Sequence, residues 1–385
     1  MLTHCTSNLM EVASVDVTTV EVERKFGFGT STCTLIELTT DTGESGVGEI
    51  PDIEDPEAAP SDTEIEAEIE SFLSGRDPRQ IQLLTDEMYD AVSFGKFEFH
   101  SFQQLALGAI DTALYDLVGT HLNTPVHQLL GGRSHDVPIT WVVFTRGGED
   151  ELTELRAEVQ EKVEEGFTAF KLKVGEREPS VDLARIEAVR DIAGDDATVL
   201  LDAQGLWSKS EAISTIRKFE QAGIDGVETP VGHPDKQADA PGYYYDIPLF
   251  PDDIAEVRAA VDTALIEHVL DPAFGLELIQ ADAVDVFTVE VCSGGITRAK
   301  RILDIAASAG VDARLGSTVE LGPGSAAATA LATASTAVTY PCDLIGPALY
   351  KGAVLSNRIE YQDGCLSARD APGFGIDVNW ELLSP

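Results

Sequence analysis

Lys171 and Lys173 lie two residues apart in the run FKLKVG, so on a strand both side chains point the same way. Asp202, in VLLDAQG, follows Lys173 by 29 residues, and Glu228, in GVETP, follows Asp202 by 26. Each run is short and β-rich. Spacings of this size fit successive β-α units of a parallel barrel, whose strand ends converge on the face where such folds do chemistry. Two lysines and two carboxylates gathered there suggest a divalent-metal site with an amine base beside it.

The rest of the chain has to supply that barrel. From Val12 to Glu49 the sequence reads as a strand meander: VASVDVTTVEVE alternates, GFGTSTCTLIELTTDTG leads into a turn, and SGVGEI follows. From Thr63 to about Thr120 the period becomes helical, with an apolar stripe through SFQQLALGAIDTALYDLVG. Around Val137 the rhythm changes to strand and helix in alternation, from PITWVVF through TAFKLKV, TVLLDA, DGVET, TALIEH and VDVFTVEV to VDARLG. Six to eight such repeats make a TIM-type (β/α) barrel a better fit than an open sheet. The reading is α/β, with an α+β capping domain at 1–135, the barrel at 136–350, and a segment at 351–385 that packs back on the cap. A long interruption from Val231 to Phe250, with three successive tyrosines, is expected to cover the site.

At 385 residues the chain can bury a large core, and 43% hydrophobic with 24% charged residues is ordinary for a globular protein. No apolar run approaches a membrane span and no signal-like segment follows the start, so a cytoplasmic protein is expected. The five cysteines (Cys5, Cys33, Cys292, Cys342 and Cys365) show no metal-ligand spacing and read as reduced thiols. Net charge is the outlier: 67 acidic against 26 basic residues give −41. The excess is spread along the chain, which fits a carboxylate-covered surface adapted to very high salt, where screening reaches about 3 Å at 1 M. No basic stripe exists to meet nucleic-acid phosphates.

The ordered motifs resemble those of the enolase superfamily, in its muconate-lactonizing and mandelate-racemase branches. TLIELTTDTGESGVGEI is similar to that family's capping hairpin, and ALGAIDTALYDLVGTHLNTPVHQLLGG to the helical segment leading into its barrel. KLK, LLDAQG and VETP then match its active-site strands in order. The resemblance implies an enolase-like modified barrel that removes the proton α to a carboxylate, giving an enediolate held by Mg²⁺, with Mn²⁺ as a substitute. It assigns Asp202 and Glu228 to the metal, Lys173 to acid/base work, and Lys171 to lowering the pKa of Lys173 and touching the carboxylate. Hard oxygen ligands suit Mg²⁺, and a dication stabilises charge that develops as the proton leaves. As surface salt bridges, the lysines would carry none of this. Gln204 stands where relatives often have Asn, either hydrogen-bonding behind the ligands or as an ordinary strand-end residue. The partners implied are a small-molecule carboxylate and further copies of the chain in a homo-oligomer.

Several positions depart from the family pattern. The third metal ligand falls in TALIEHV, where Glu267 is the best candidate, with His268 its neighbour; facing a helix, Glu267 would instead make a salt bridge. Asp252 and Asp253 look like a helix cap. In VDVFTVEVCSGG, Glu290 stands where the muconate branch carries a second lysine, and reads either as an acid or as an ion-pair partner of the lysines. Only His233 and His268 fall at plausible barrel loops. Glu320 in STVELG matches an acidic position near the family's site. Specificity is expected from Phe26–Thr30 and Ile53–Asp55, with Phe26 and Phe28 as an apolar wall or as hairpin packing. With one clear base, cycloisomerization leads, acid-sugar dehydration follows, and racemization or epimerization comes third. A catalytically silent binding relative is the competing class.

Overall fold

The structure is a computed structural model, and it describes residues 10–53, 59–91, 101–144, 148, 150–232, 250–352 and 354–380. His233, most of the Val231–Phe250 interruption, and Glu54 and Asp55 lie outside the described residues.

Strands β1 (Val12–Glu23), β2 (Thr30–Thr40) and β3 (Ser45–Ile50) form an antiparallel meander. The helix Phe102–His121 lies across β3 at very close range. Gly46 and Gly48 make this approach possible, since a Cβ at Gly48 would run into the Ala109 carbonyl and one at Gly46 into the backbone of Ala113 and Leu117.

After a short β4 (Asp136–Pro138) come seven parallel strands: β5 (Thr140–Val143), β6 (Ala169–Lys173), β7 (Thr198–Asp202), β8 (Gly226–Glu228), β9 (Ala264–His268), β10 (Val286–Val289) and β11 (Asp312–Leu315). They pair strictly in chain order, with a helix after each strand from β5 to β11, as right-handed β-α-β crossovers produce. Residues 338–342 bridge β11 through Ala313↔Val338 and the start of β5 through Ile139↔Cys342, which curls the sheet round as a TIM-type barrel.

Alternation along these strands sorts the residues into two faces. Phe170, Leu172, Val199, Leu201, Val227, Leu265, Phe287 and Val289 point outward into the large core under the helices. Leu200, Ile266 and Val286 point inward and form a small apolar floor closed by Tyr340. The inward residues above that floor are polar, and they make the site.

The chain after Tyr350 returns to the first sheet. Val354, Leu355 and Val378 pack with Val20, Cys33, Leu35 and Val47, while β12 (Cys365–Ser367) pairs antiparallel with β4. Two buried carboxylates pin the halves together. Glu49 on β3 accepts from the amides of Gly322 (3.2 Å), Gly324 (3.0 Å) and Leu321, at the start of the helix Pro323–Ala332. Asp116 accepts from Val47 (3.0 Å) and Phe374 (2.7 Å).

Candidate active site

Parallel pairing places Lys173 beside Asp202 and Asp202 beside Glu228, so three adjacent strands deliver them to one rim. Lys171, Lys173, Asp202, Glu228, His268 and Glu290 line one pocket. Its other wall is apolar, built from Leu105, Val142, Phe144, Ile345 and Leu349, and Pro51 and Asp52 close it from the end of β3.

Glu228 is fully buried and accepts four hydrogen bonds. Lys171 Nζ (3.2 Å) and His268 Nε2 (2.8 Å) reach Oε1; Thr288 Oγ1 (3.0 Å) and Arg314 Nη1 (2.9 Å) reach Oε2. Burial alone would raise its pKa, but Lys171, His268 and Arg314 hold it well below the usual carboxylate range. Lys171 also bonds to Asp343 and lies 3.7 Å from Asp202. Burial disfavours its charge, yet Asp343, Glu228 and Asp202 more than compensate and raise its pKa above the ordinary lysine value. Lys173 Nζ sits 2.5 Å from Asp202 Oδ2, and the Gln204 amide donates to Asp202 Oδ1 at 3.1 Å.

His268 is the inward residue at the end of β9. Burial lowers its pKa, but Glu228 and Glu290 raise it by more, for a net upward shift. Its Nδ1 lies 3.6 Å from Glu290 Oε1, and Ser293 Oγ donates to Glu290 Oε2 at 3.0 Å.

The other expected positions fall around the pocket. Glu267 faces away from it: strand alternation turns its carboxylate to Thr229 Oγ1 (2.7 Å), and burial pushes it up to about 8. Its Oε2 is buried, with no hydrogen-bond partner among the described residues. Glu320 is buried beneath the loop it belongs to, accepting from Ser317 Oγ (2.6 Å), the Thr318 amide (2.9 Å) and Ser325 Oγ (3.3 Å). Gln204 bends the chain in a left-handed conformation at φ 50° and contributes its amide. Phe28 packs edge-on against the pocket residue Phe144, at 5.1 Å between ring centres, while Phe26 is 44% exposed.

Three residues that matter were not singled out from the sequence: Arg314, Asp343 and Thr288. Arg314 had a readable signal, since a lone arginine inside the apolar strand VDARLG shares the inward face with Gly316 two residues on. Asp343 follows the last strand and carries no local pattern.

A lysine–carboxylate pocket at the C-terminal mouth of a parallel barrel defines an enzyme site. Residues 12–131 match the family model for the mandelate racemase / muconate lactonizing enzyme N-terminal domain, and residues 154–382 the model described as enolase C-terminal domain-like. The chain therefore belongs to the enolase superfamily, in its mandelate racemase/muconate lactonizing enzyme branch, as an isomerase or lyase. It is 26% identical to muconate cycloisomerase 1 of Rhodococcus opacus, over 97% of this chain and 98% of that one. It is 29% identical to L-Ala-D/L-Glu epimerase of Bacillus subtilis (strain 168), over 72% and 73%. The solved structure of 2-chloromuconate cycloisomerase from Rhodococcus opacus 1CP superposes with a TM-score of 0.82 at 25% identity, covering 97% of this chain and 98% of that one.

Enzymes of this family generally use a divalent metal. Such an ion needs open oxygen ligands. Here the two oxygens of Glu228 each accept two donors, which fills a carboxylate's capacity. Asp202 Oδ2 is taken by Lys173 and its Oδ1 accepts the Gln204 amide, and Glu267 is on the other face. Among the described residues, no group of three or more His, Cys, Asp or Glu is placed to hold a metal ion. The residues, as arranged, do not fit a divalent ion.

Proposed function

We propose that the pocket binds a small carboxylate and moves the proton on the carbon α to it, with a muconate-type cycloisomerization as the leading reaction. The observation that carries this reading is the joint placement of Lys171, Lys173, Asp202 and Glu228 in a single pocket. Lys173 carries the proton, giving it to the α-carbon as the ring closes and taking it in the reverse direction, because it stands at the strand end nearest the opening and its amine is aimed by Asp202. The growing negative charge on the substrate carboxylate meets the ammonium of Lys171 and the guanidinium behind it. Leu105, Val142, Phe144, Ile345 and Leu349 exclude water from the carbon skeleton and favour an apolar chain next to the carboxylate. Under this reading residues 1–135 cap the barrel of 136–350, and 351–385 returns onto the cap.

A second reading, epimerization, is favoured by one observation. His268 and Glu290 face the pocket from β9 and the end of β10, while Lys173 enters from β6, so proton carriers stand on separated strands.

Nuclear magnetic resonance in D₂O, with the full chain in molar KCl and a panel of carboxylates, tests both. Consumption of muconate with solvent deuterium incorporated at the α-carbon of the lactone supports cycloisomerization. Exchange with inversion on a dipeptide supports epimerization. No exchange on any acid overturns the proton-transfer reading.

A further inference from the structure

The pocket carries its positive charge on its own side chains. Arg314 is wholly buried on the inward face of β11. Its Nη1 donates to Glu228 Oε2 at 2.9 Å, Nη2 to Thr140 Oγ1 at 3.2 Å and to Asp343, and Nε to the Pro341 carbonyl at 3.0 Å. Lys171 closes the ring by bonding to Asp343 and, at 3.2 Å, to Glu228. Two cations and two anions thus form a compact, electrically neutral quartet. A guanidinium does not lose its proton in a protein, so this arrangement cannot discharge itself to make room.

The remaining pocket acids are answered in the same way. Lys173 sits on Asp202, His268 stands 3.6 Å from Glu290, and Arg24 pairs with Asp52 at the rim. Each carboxylate among the described residues lining this pocket therefore already has a cation of the chain or, for Glu290, an imidazole beside it. A dication entering would bring two further charges and find no open oxygen on Glu228. It would also have to displace Arg314 from Oε2, or Lys171 and His268 from Oε1, leaving a buried cation short of counter-charge, and disrupting such a pair is strongly unfavourable.

We propose that this pocket works without a divalent ion, Arg314 and Lys171 being the fixed charges that hold Glu228 in place of a metal. The substrate class rests on the function proposed above; the absence of a metal requirement does not.

The test is a binding measurement, independent of any substrate. The full chain in molar KCl, stripped with EDTA, is titrated with Mn²⁺ followed by electron paramagnetic resonance, and with Mg²⁺ by calorimetry, beside Asp202→Asn. The acidic surface takes up ions weakly in both proteins, so the difference between them is what counts. Identical isotherms are expected. A stoichiometric site present in the parent chain and lost in Asp202→Asn overturns the proposal. Arg314→Met, which frees Glu228 Oε2, is expected to gain Mn²⁺ binding that the parent lacks. If that variant does not fold, His268→Gln, which removes the imidazole from Oε1 and leaves Lys171 there, takes its place. No gain in the folded variant overturns the role given to the internal cations.

Discussion

At the scale of single residues, two side chains separate chemistry from architecture. Lys173 is aimed by one carboxylate and opens on the pocket, whereas Lys171 is locked among three. Lys173→Ala is expected to lower α-proton exchange by about 10²–10⁴-fold, the usual contribution of a positioned acid/base group, with an unchanged circular dichroism spectrum. Asp343 lies deeper in the same network. Asp343→Ala leaves Lys171 and Arg314 short of counter-charge in the interior and is expected to cost about 3–5 kcal/mol, read from urea unfolding at fixed salt. The neighbours Glu267 and His268 show how far composition reads at this scale. TALIEHV contains both ligand types, and the strand's two-residue period decides which one faces inward. The sequence reading took the acid; the strand presents the imidazole.

At the scale of elements, register does the assembling. Lys173, Asp202 and Glu228 become neighbours because β6, β7 and β8 pair in parallel with their ends level, and the 29- and 26-residue spacings already encoded that. The cap is joined to its helix more tightly than hydropathy suggests. Gly48 on β3 touches the backbone of Phe102–His121, so Gly48→Ala must push the helix away from the sheet. A loss of at least about 1–3 kcal/mol is expected, measured as a lower thermal midpoint with no change in helix content. Leu105 on that helix and Pro51 and Asp52 at the end of β3 line the pocket, so the same variant is expected to weaken substrate affinity.

At the scale of the whole molecule, charge sets the conditions. With a net charge of −41, self-repulsion falls as the Debye length shrinks from about 10 Å at 0.1 M salt to about 3 Å at 1 M. Raising KCl across that range is expected to raise the thermal midpoint, and a flat response would refute the high-salt reading of the surface. The pH response runs the same way. Glu49 sits buried against Glu320, with Cys33, Cys292 and Tyr350 also in its field, and burial pushes it up to about 7 from an ordinary 4.5. Burial likewise pushes Asp116, with Glu37 adding to it, up to about 6. A carboxyl whose pKa is higher in the folded state keeps a proton there that the unfolded chain releases. Its stabilisation is therefore complete below the unfolded value and lost as pH rises through the folded one. Stability is expected to fall between about pH 4.5 and 7, with a shallower slope in Glu49→Gln, as calorimetry at stepped pH would show.

The barrel, the family and the gathering of Lys171, Lys173, Asp202 and Glu228 at one rim were all legible in the chain. Parallel β-α repeats impose a regular spacing, and the motif residues sit at strand ends where that spacing is counted. The rest of the site was not, because its meaning depends on which way a side chain faces and on what arrives beside it from far along the chain. Arg314 and Asp343 are 86 and 115 residues beyond Glu228, and only the curling of the sheet brings them against it and Lys171. That closure turns a carboxylate which local sequence offers as an open ligand into the centre of a filled, neutral charge network.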